Sequence, residues 1–137
     1  MVELVYSVNE IDKVAETIIG EGKEHNVWLF KGDLGTGKTT LLKSIGKLLF
    51  IKDEVSSPSF SIVNEYQSEL HKKIYHFDFY RMKDQSELTD IGWWDILEED
   101  KLIWVEWPEM IPDYLPEPHL FVDLQHISAE KRHIIIK

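Results

Sequence analysis

Apolar and polar positions recur along this chain with two different periods. Ser7 followed by Glu10 has the spacing of a capping box. After it, Ile11, Val14, Ala15 and Ile18 recur at helical spacing, with Gly20 placed to end the helix. A short continuous apolar run, Val27-Trp28-Leu29-Phe30, reads as a strand buried on both faces. A glycine-rich turn follows, and Leu41, Leu42, Ile45, Leu48 and Leu49 then mark one stripe of a second helix. These pieces form the strand–loop–helix half of a βαβ unit.

Ser56-Ser57-Pro58 reads as a loop and residues 59–66 as a strand. A second extended run over 73–79 puts Tyr75, Phe77 and Phe79 on one face and Ile74, His76 and Asp78 on the other. Residues 86–97 have helical character, interrupted by Gly92 and the Trp93-Trp94 pair, of which one packs and the other faces outward. Leu102-Ile103-Trp104-Val105 is another buried-strand run, ended by Glu106. Prolines 112, 116 and 118 suit a surface connection, and the tail reads as a hairpin of 119–127 and 133–137 about a turn. Trp28 and Trp104, inside apolar runs, are expected in the core. Buried strands alternating with helices predict an α/β fold: a mainly parallel central sheet flanked by helices, with a C-terminal β-hairpin.

Composition narrows the chemistry. The chain has 137 residues, the size of one domain, and 43% apolar and 29% charged residues, which is globular. It has no cysteine, so disulfides, thiolate zinc sites and a cysteine nucleophile are excluded. No apolar stretch is long enough to cross a bilayer and no secretory signal is readable, so a soluble, cytoplasmic protein is expected. The formal charge is −10, and Arg81 and Arg132 are the only arginines. Tight direct nucleic-acid binding by this chain alone is therefore not expected. Residues 84–100 carry seven acids and no base, which reads as a solvated face or as a docking surface for a basic partner.

The sharpest signal is Gly32-Asp33-Leu34-Gly35-Thr36-Gly37-Lys38-Thr39-Thr40, a phosphate-binding loop between the required strand and helix. Gly32, Gly35 and Gly37 let main-chain N–H groups close around an anion. The following helix aims its unpaired N–H groups and positive dipole end at the same point. Lys38 is expected to reach the β- and γ-phosphates, and the Thr39 hydroxyl to ligate Mg²⁺. Asp78 and Glu106 each end another predicted strand, and ligands of open α/β sheets sit outside those carboxyl ends. An acid directly after an apolar strand is costly to bury unpaired, and a Mg²⁺–triphosphate would offset that cost. His76 shares a strand face with Asp78 in the manner of a metal pair, but the other histidines lack ligand spacing.

The loop is followed in order by Ser57-Pro58-Ser59-Phe60, Val63-Asn64-Glu65-Tyr66, His76-Phe77-Asp78-Phe79-Tyr80-Arg81, Glu87-Leu88 with Ile91-Gly92, and Val105-Glu106-Trp107-Pro108-Glu109. This ordered set resembles the TsaE family (older name YjeE), small bacterial P-loop ATPases needed for threonylcarbamoyladenosine in tRNA. The resemblance runs from about 27 to 109 and more weakly to the tail. It implies a P-loop NTPase-like fold, ATP and Mg²⁺ as ligands, and a threonylcarbamoyl-transferase pair of TsaD and TsaB type as partners. It places Asp78 and Glu106 at the metal and the attacking water, with Trp107 beside them. We assign Glu106 to the metal shell and Asp78 to water, so that Lys38, Asp78 and Glu106 form the catalytic set. Ser59 stands where the family usually has threonine, keeping a hydroxyl for the γ-phosphate or Mg²⁺. Arg132 matches a basic position that approaches the nucleotide. On the residues alone, rival readings are a small-molecule kinase and a nucleotide-dependent binding module; a GTPase lacks its Asn-Lys-x-Asp segment.

Overall fold

The computed structural model describes residues 1–58, 61–70, 73–99 and 101–137. Their strands are β1 (Val2–Ser7), β2 (Val27–Lys31), β3 (Val63–Tyr66), β4 (Ile74–Asp78), β5 (Leu102–Glu106), β6 (Leu120–His126) and β7 (Lys131–Ile136). The helices are α1 (Ile11–Glu21), α2 (Lys38–Leu48), α3 (Glu87–Asp90) and α4 (Trp93–Leu97). The strands form one sheet in the order β1-β7-β6-β2-β5-β4-β3. Its centre, β6-β2-β5-β4, is parallel, and β7 and β3 join it antiparallel. The C-terminal hairpin is thus built into the sheet, because β6 pairs with β2, and β1 covers the outer edge of β7.

Period-two alternation divides the core between the two faces of this sheet. Trp28 and Phe30 of β2, Ile74 of β4, and Leu102 and Trp104 of β5 face α1 and α2, whose Ile18, Leu41, Leu42 and Ile45 complete that layer. Val27, Leu29, Tyr75, Phe77, Ile103 and Val105 face α3 and α4, meeting Leu88, Trp93 and Ile96. The same alternation puts His76, Asp78 and Glu106 on the α1–α2 side, where the glycine-rich loop also lies. Register then fixes their level: Phe30 lies opposite Glu106, and Glu106 opposite Asp78.

Local chemistry accounts for several differences from the sequence expectation. β1 has no expected counterpart; its pairing comes from β7 at the other end of the chain. The first helix does not stop at Gly20. Gly20 is exposed with open space around it, and the helix runs to Glu21, with Gly22 N–H closing on Ile18 O at 2.8 Å. Gly22 is the glycine required, because a Cβ there would fall 2.5 Å from the Trp28 indole. The expected helix over 86–97 is two short helices, since Gly92 adopts φ +79° and breaks the ladder. The strand expected over 59–66 is ordered as a strand only over Val63–Tyr66, and residues 59 and 60 lie outside the described residues. Among the described residues no helix is long and apolar enough to cross a membrane.

Trp93 is fully buried edge-on against Phe77 and Phe79, at 5.0 and 5.5 Å between ring centroids, whereas Trp94 is 45% exposed. Trp93 is therefore the anchor that ties the acidic α3–α4 segment to the sheet. Trp93→Ala is expected to lower stability by about 3–5 kcal/mol, read as a shifted midpoint in urea unfolding, while Trp94→Ala changes it little.

Candidate functional site

The loop between β2 and α2 is shaped by glycine at three points, one through a close contact and two through positive φ. A Cβ on Gly32 would lie 2.8 Å from both the Leu124 carbonyl oxygen and Thr36 Oγ1. Gly37 adopts φ +97° at the start of α2, and Gly35 adopts φ +81°. Thr36 is buried, and its hydroxyl donates to Asp33 O at 2.9 Å, closing the loop on itself. Lys38, the first residue of α2, folds back so that Nζ donates to Gly32 O. The same ammonium sits 4.4 Å above the Trp107 ring centroid, a cation–π contact. Burial lowers the Lys38 pKa, against the raising influence of Glu106, Asp78, Glu109 and Asp33. An ammonium in this setting gains from any anion brought to it.

The two strand-end acids meet this loop. Thr39 Oγ1 lies 2.9 Å from Ser57 Oγ, and Ser57 Oγ donates to Glu106 Oε2 at 3.4 Å. Glu106 is only 2% exposed and its Oε2 is also 2.6 Å from His76 Nε2. Asp78, half-buried beside it, accepts the Tyr80 N–H on Oδ1 at 3.0 Å. Burial raises the Asp78 pKa and the Glu106 charge adds to the rise; the Tyr80 hydrogen bond, His76 and Lys38 oppose it. A cavity of about 410 Å³ opens among Lys38, Thr39, Ser57, Asp78, Glu106 and Trp107.

The remaining expected site residues fall in different places. Arg132 reaches the loop from β7: Nε donates to Thr36 O at 2.8 Å, and Nη1 to Ser128 O at 2.6 Å. The guanidinium therefore braces the loop's main chain. Thr40 is exposed on the first turn of α2. Ser59 lies outside the described residues, and the hydroxyl that joins Thr39 to Glu106 belongs to Ser57. Tyr66 was not expected near the site, yet its hydroxyl lies 2.9 Å from His76 Nδ1. The alternation of β4, which puts His76 beside Asp78, was the available signal for His76; Tyr66 ended one of the segments that carry the family resemblance, with no role attached to it. His76 is bonded on both nitrogens and does not pair with Asp78.

The donor set suits Mg²⁺. Thr39, Ser57, Asp78 and Glu106 offer hard oxygens, and among the described residues no cluster of three His, Cys, Asp or Glu forms a self-sufficient cage. A hydroxyl and one or two carboxylates completed by phosphate and water is the pattern Mg²⁺ favours. Burial first, and the Glu106 charge after it, disfavour the ionised Asp78 carboxylate, a cost that a divalent cation at that spot would offset.

The whole chain has counterparts among known proteins. A family model described as threonylcarbamoyl adenosine biosynthesis protein TsaE matches residues 5–134. The tRNA threonylcarbamoyladenosine biosynthesis protein TsaE of Bacillus subtilis is 34% identical over 125 residues, 91% of this chain and 77% of the relative. That of Haemophilus influenzae is 35% identical over 115 residues, 83% and 72% of the two chains. That of Rickettsia bellii is 32% identical over 130 residues, 94% and 89%. The crystal structure of Bacillus subtilis YdiB superposes with a TM-score of 0.71 at 26% identity, covering 97% of this chain and 83% of that one. The α/β sheet is of the P-loop NTPase type. With residues 5–134 matched by the family model and relatives 32–35% identical over most of its length, the chain belongs to the TsaE family.

Proposed function

We propose that this chain binds ATP with Mg²⁺ in the cleft at the glycine-rich loop and hydrolyses it slowly, in the cytoplasm. It does so as a subunit of the tRNA threonylcarbamoyladenosine machinery, supporting turnover of a transferase pair of TsaD and TsaB type. The relatives' names support the pathway. The observation that carries the chemistry is the convergence of Lys38, Thr39, Asp78 and Glu106 on one cavity from three strand ends.

Each residue's part follows from its surroundings. Lys38 exchanges its bond to Gly32 O for the β- and γ-phosphoryl oxygens, which satisfy a charged donor better than one carbonyl. The α2 N-terminus adds N–H groups to the same phosphates, and Arg132 keeps the loop closed through Thr36 O. The Thr39 hydroxyl and Glu106 hold the cation, which when bound neutralises charge on the phosphates. Asp78 orients the attacking water with the oxygen that Tyr80 leaves free. Two carboxylates beside the γ-phosphoryl position also repel developing negative charge, so the isolated chain turns over slowly. A cation supplied by the partner pair accelerates it, in the manner of an arginine finger.

Calorimetry tests the binding half: Lys38→Ala is expected to weaken ATP binding about 10- to 100-fold, and Gly32→Ala to abolish it through the clash with Leu124 O. Turnover tests the other half. Asp78→Asn is expected to lose about 100-fold in hydrolysis with little change in ATP affinity, and products should be ADP and phosphate with no phosphorylated acceptor. Equal hydrolysis by wild type and all variants contradicts the mechanism.

Asp78 also makes the nucleotide-free protein sensitive to pH. Its folded pKa is raised, so the folded state holds the Asp78 proton more tightly than the unfolded chain does. That contribution to stability is complete below the ordinary carboxylate pKa and is lost as pH rises through the raised one. Asp78→Asn is therefore expected to be more stable than wild type at neutral pH, with the gain shrinking as pH is lowered, measured by urea unfolding across pH.

A further inference from the structure

Glu106 is held from two sides. On one, Ser57 Oγ lies 3.4 Å from Glu106 Oε2 and 2.9 Å from Thr39 Oγ1. On the other, His76 Nε2 lies 2.6 Å from the same carboxylate oxygen. His76 has no exposed surface and sits between the Tyr66 and Trp104 rings, at centroid distances of 5.9 and 5.7 Å. Its Nδ1 is 2.9 Å from the Tyr66 hydroxyl. That hydroxyl accepts the Ser56 N–H at 3.2 Å and lies 2.9 Å from Ser56 O, to which Asn64 Nδ2 donates at 3.0 Å. The bonds close a ring. It runs from the Ser57 side chain through Glu106, His76 and Tyr66 and returns to the main chain of Ser56, one residue away.

Space filling does not account for these polar groups. A buried phenol, imidazole and carboxylate each lose hydration, and an apolar pair of similar shape would fill the volume at lower cost. Every group in the ring has a partner: Ser56 N–H donates to Tyr66 Oη, the Tyr66 O–H and Asn64 Nδ2 donate to Ser56 O, and His76 bonds Tyr66 Oη through Nδ1 and Glu106 Oε2 through Nε2. The carboxylate keeps its remaining lone pairs for the cleft. A carboxylate bonded in this way is confined to one rotamer, as groups that hold metal ligands commonly arrange.

We infer that the Tyr66–His76 pair is a positioning element that aims the Glu106 carboxylate at the Thr39 hydroxyl and, by the same bonds, clamps Ser56 and Ser57 against it. Neither residue touches nucleotide or cation; both act through Glu106 and the loop. The Tyr66 hydroxyl thus ties the 56–57 loop to the Glu106 carboxylate through His76, so that its loss loosens the loop and the cation ligand together. The inference deepens the reading of the cleft as a Mg²⁺–ATP site and rests on it.

Tyr66→Phe removes only the hydroxyl and keeps the ring, and His76→Gln keeps an amide N–H near the Nε2 position while giving up the bond to Tyr66. Two measurements separate the outcomes: amide hydrogen exchange at Ser57 without nucleotide, and the Mg²⁺ concentration that half-saturates the Mg²⁺-dependent gain in ATP affinity by calorimetry. Tyr66→Phe is expected to speed Ser57 exchange about tenfold and to raise the Mg²⁺ requirement several-fold, with ATP affinity in EDTA unchanged. His76→Gln is expected to speed exchange equally while holding the Mg²⁺ requirement within about threefold of wild type. Folded variants with wild-type exchange and a wild-type Mg²⁺ requirement overturn the inference. If wild type gains no affinity from Mg²⁺, the reading of the cleft fails, and Ser57 exchange alone then decides whether the pair clamps the loop.

Discussion

A carboxylate at the end of an apolar strand is stable inside a protein only when other groups come to meet it. Glu106, 2% exposed after the fully buried Val105, imposes that condition here. Its neighbours come from three separate parts of the chain: Ser57 from the loop after α2, His76 and Asp78 from β4, and Lys38 from the start of α2. The parallel register of β2, β5 and β4 is what brings them to one level. A slip of one residue in β5 would send Glu106 to the α3–α4 side and leave the loop facing a hydrocarbon surface.

The same arrangement explains why the site is poised and not self-sufficient. Lys38 lines the cavity, and it is shared between a carbonyl, an aromatic face and the field of four acids. On the proposed reading, a triphosphate and its metal would bring charges of both signs. Asp78 carries a raised pKa and the lysine a lowered one, so each ionised form costs the fold something. Such a cost is expected where a surface is shaped for a ligand it does not contain.

Much of this was readable from the residues. Continuous apolar runs identify β2 and β5, because only strands covered on both faces can omit polar positions. The alternation of 73–79 identifies β4 and the face on which Asp78 lies, and the glycine spacing identifies the loop. The rest depends on contacts far apart in sequence. β1 exists because β7 pairs with it, and Gly22, not Gly20, marks the helix end because Trp28 fills the space beside it. Gly92 divides a helix that looked continuous, because its local conformation outweighs the periodic pattern of its neighbours. Ser57, His76 and Tyr66 carry no motif chemistry of their own. Their part arises only once folding places three strands and a loop around Glu106.

The central claim is that one cation, one polyphosphate, the loop and the two strand-end acids share a single cavity. Manganese–ATP, a paramagnetic analogue of the magnesium complex, tests it directly in ¹⁵N-labelled protein. The account predicts that the amide signals of Thr39, Asp78 and Glu106 broaden together and first on titration, while those of β1 and α1 stay sharp. Broadening centred elsewhere, or affecting Thr39 without the two acids, would contradict it.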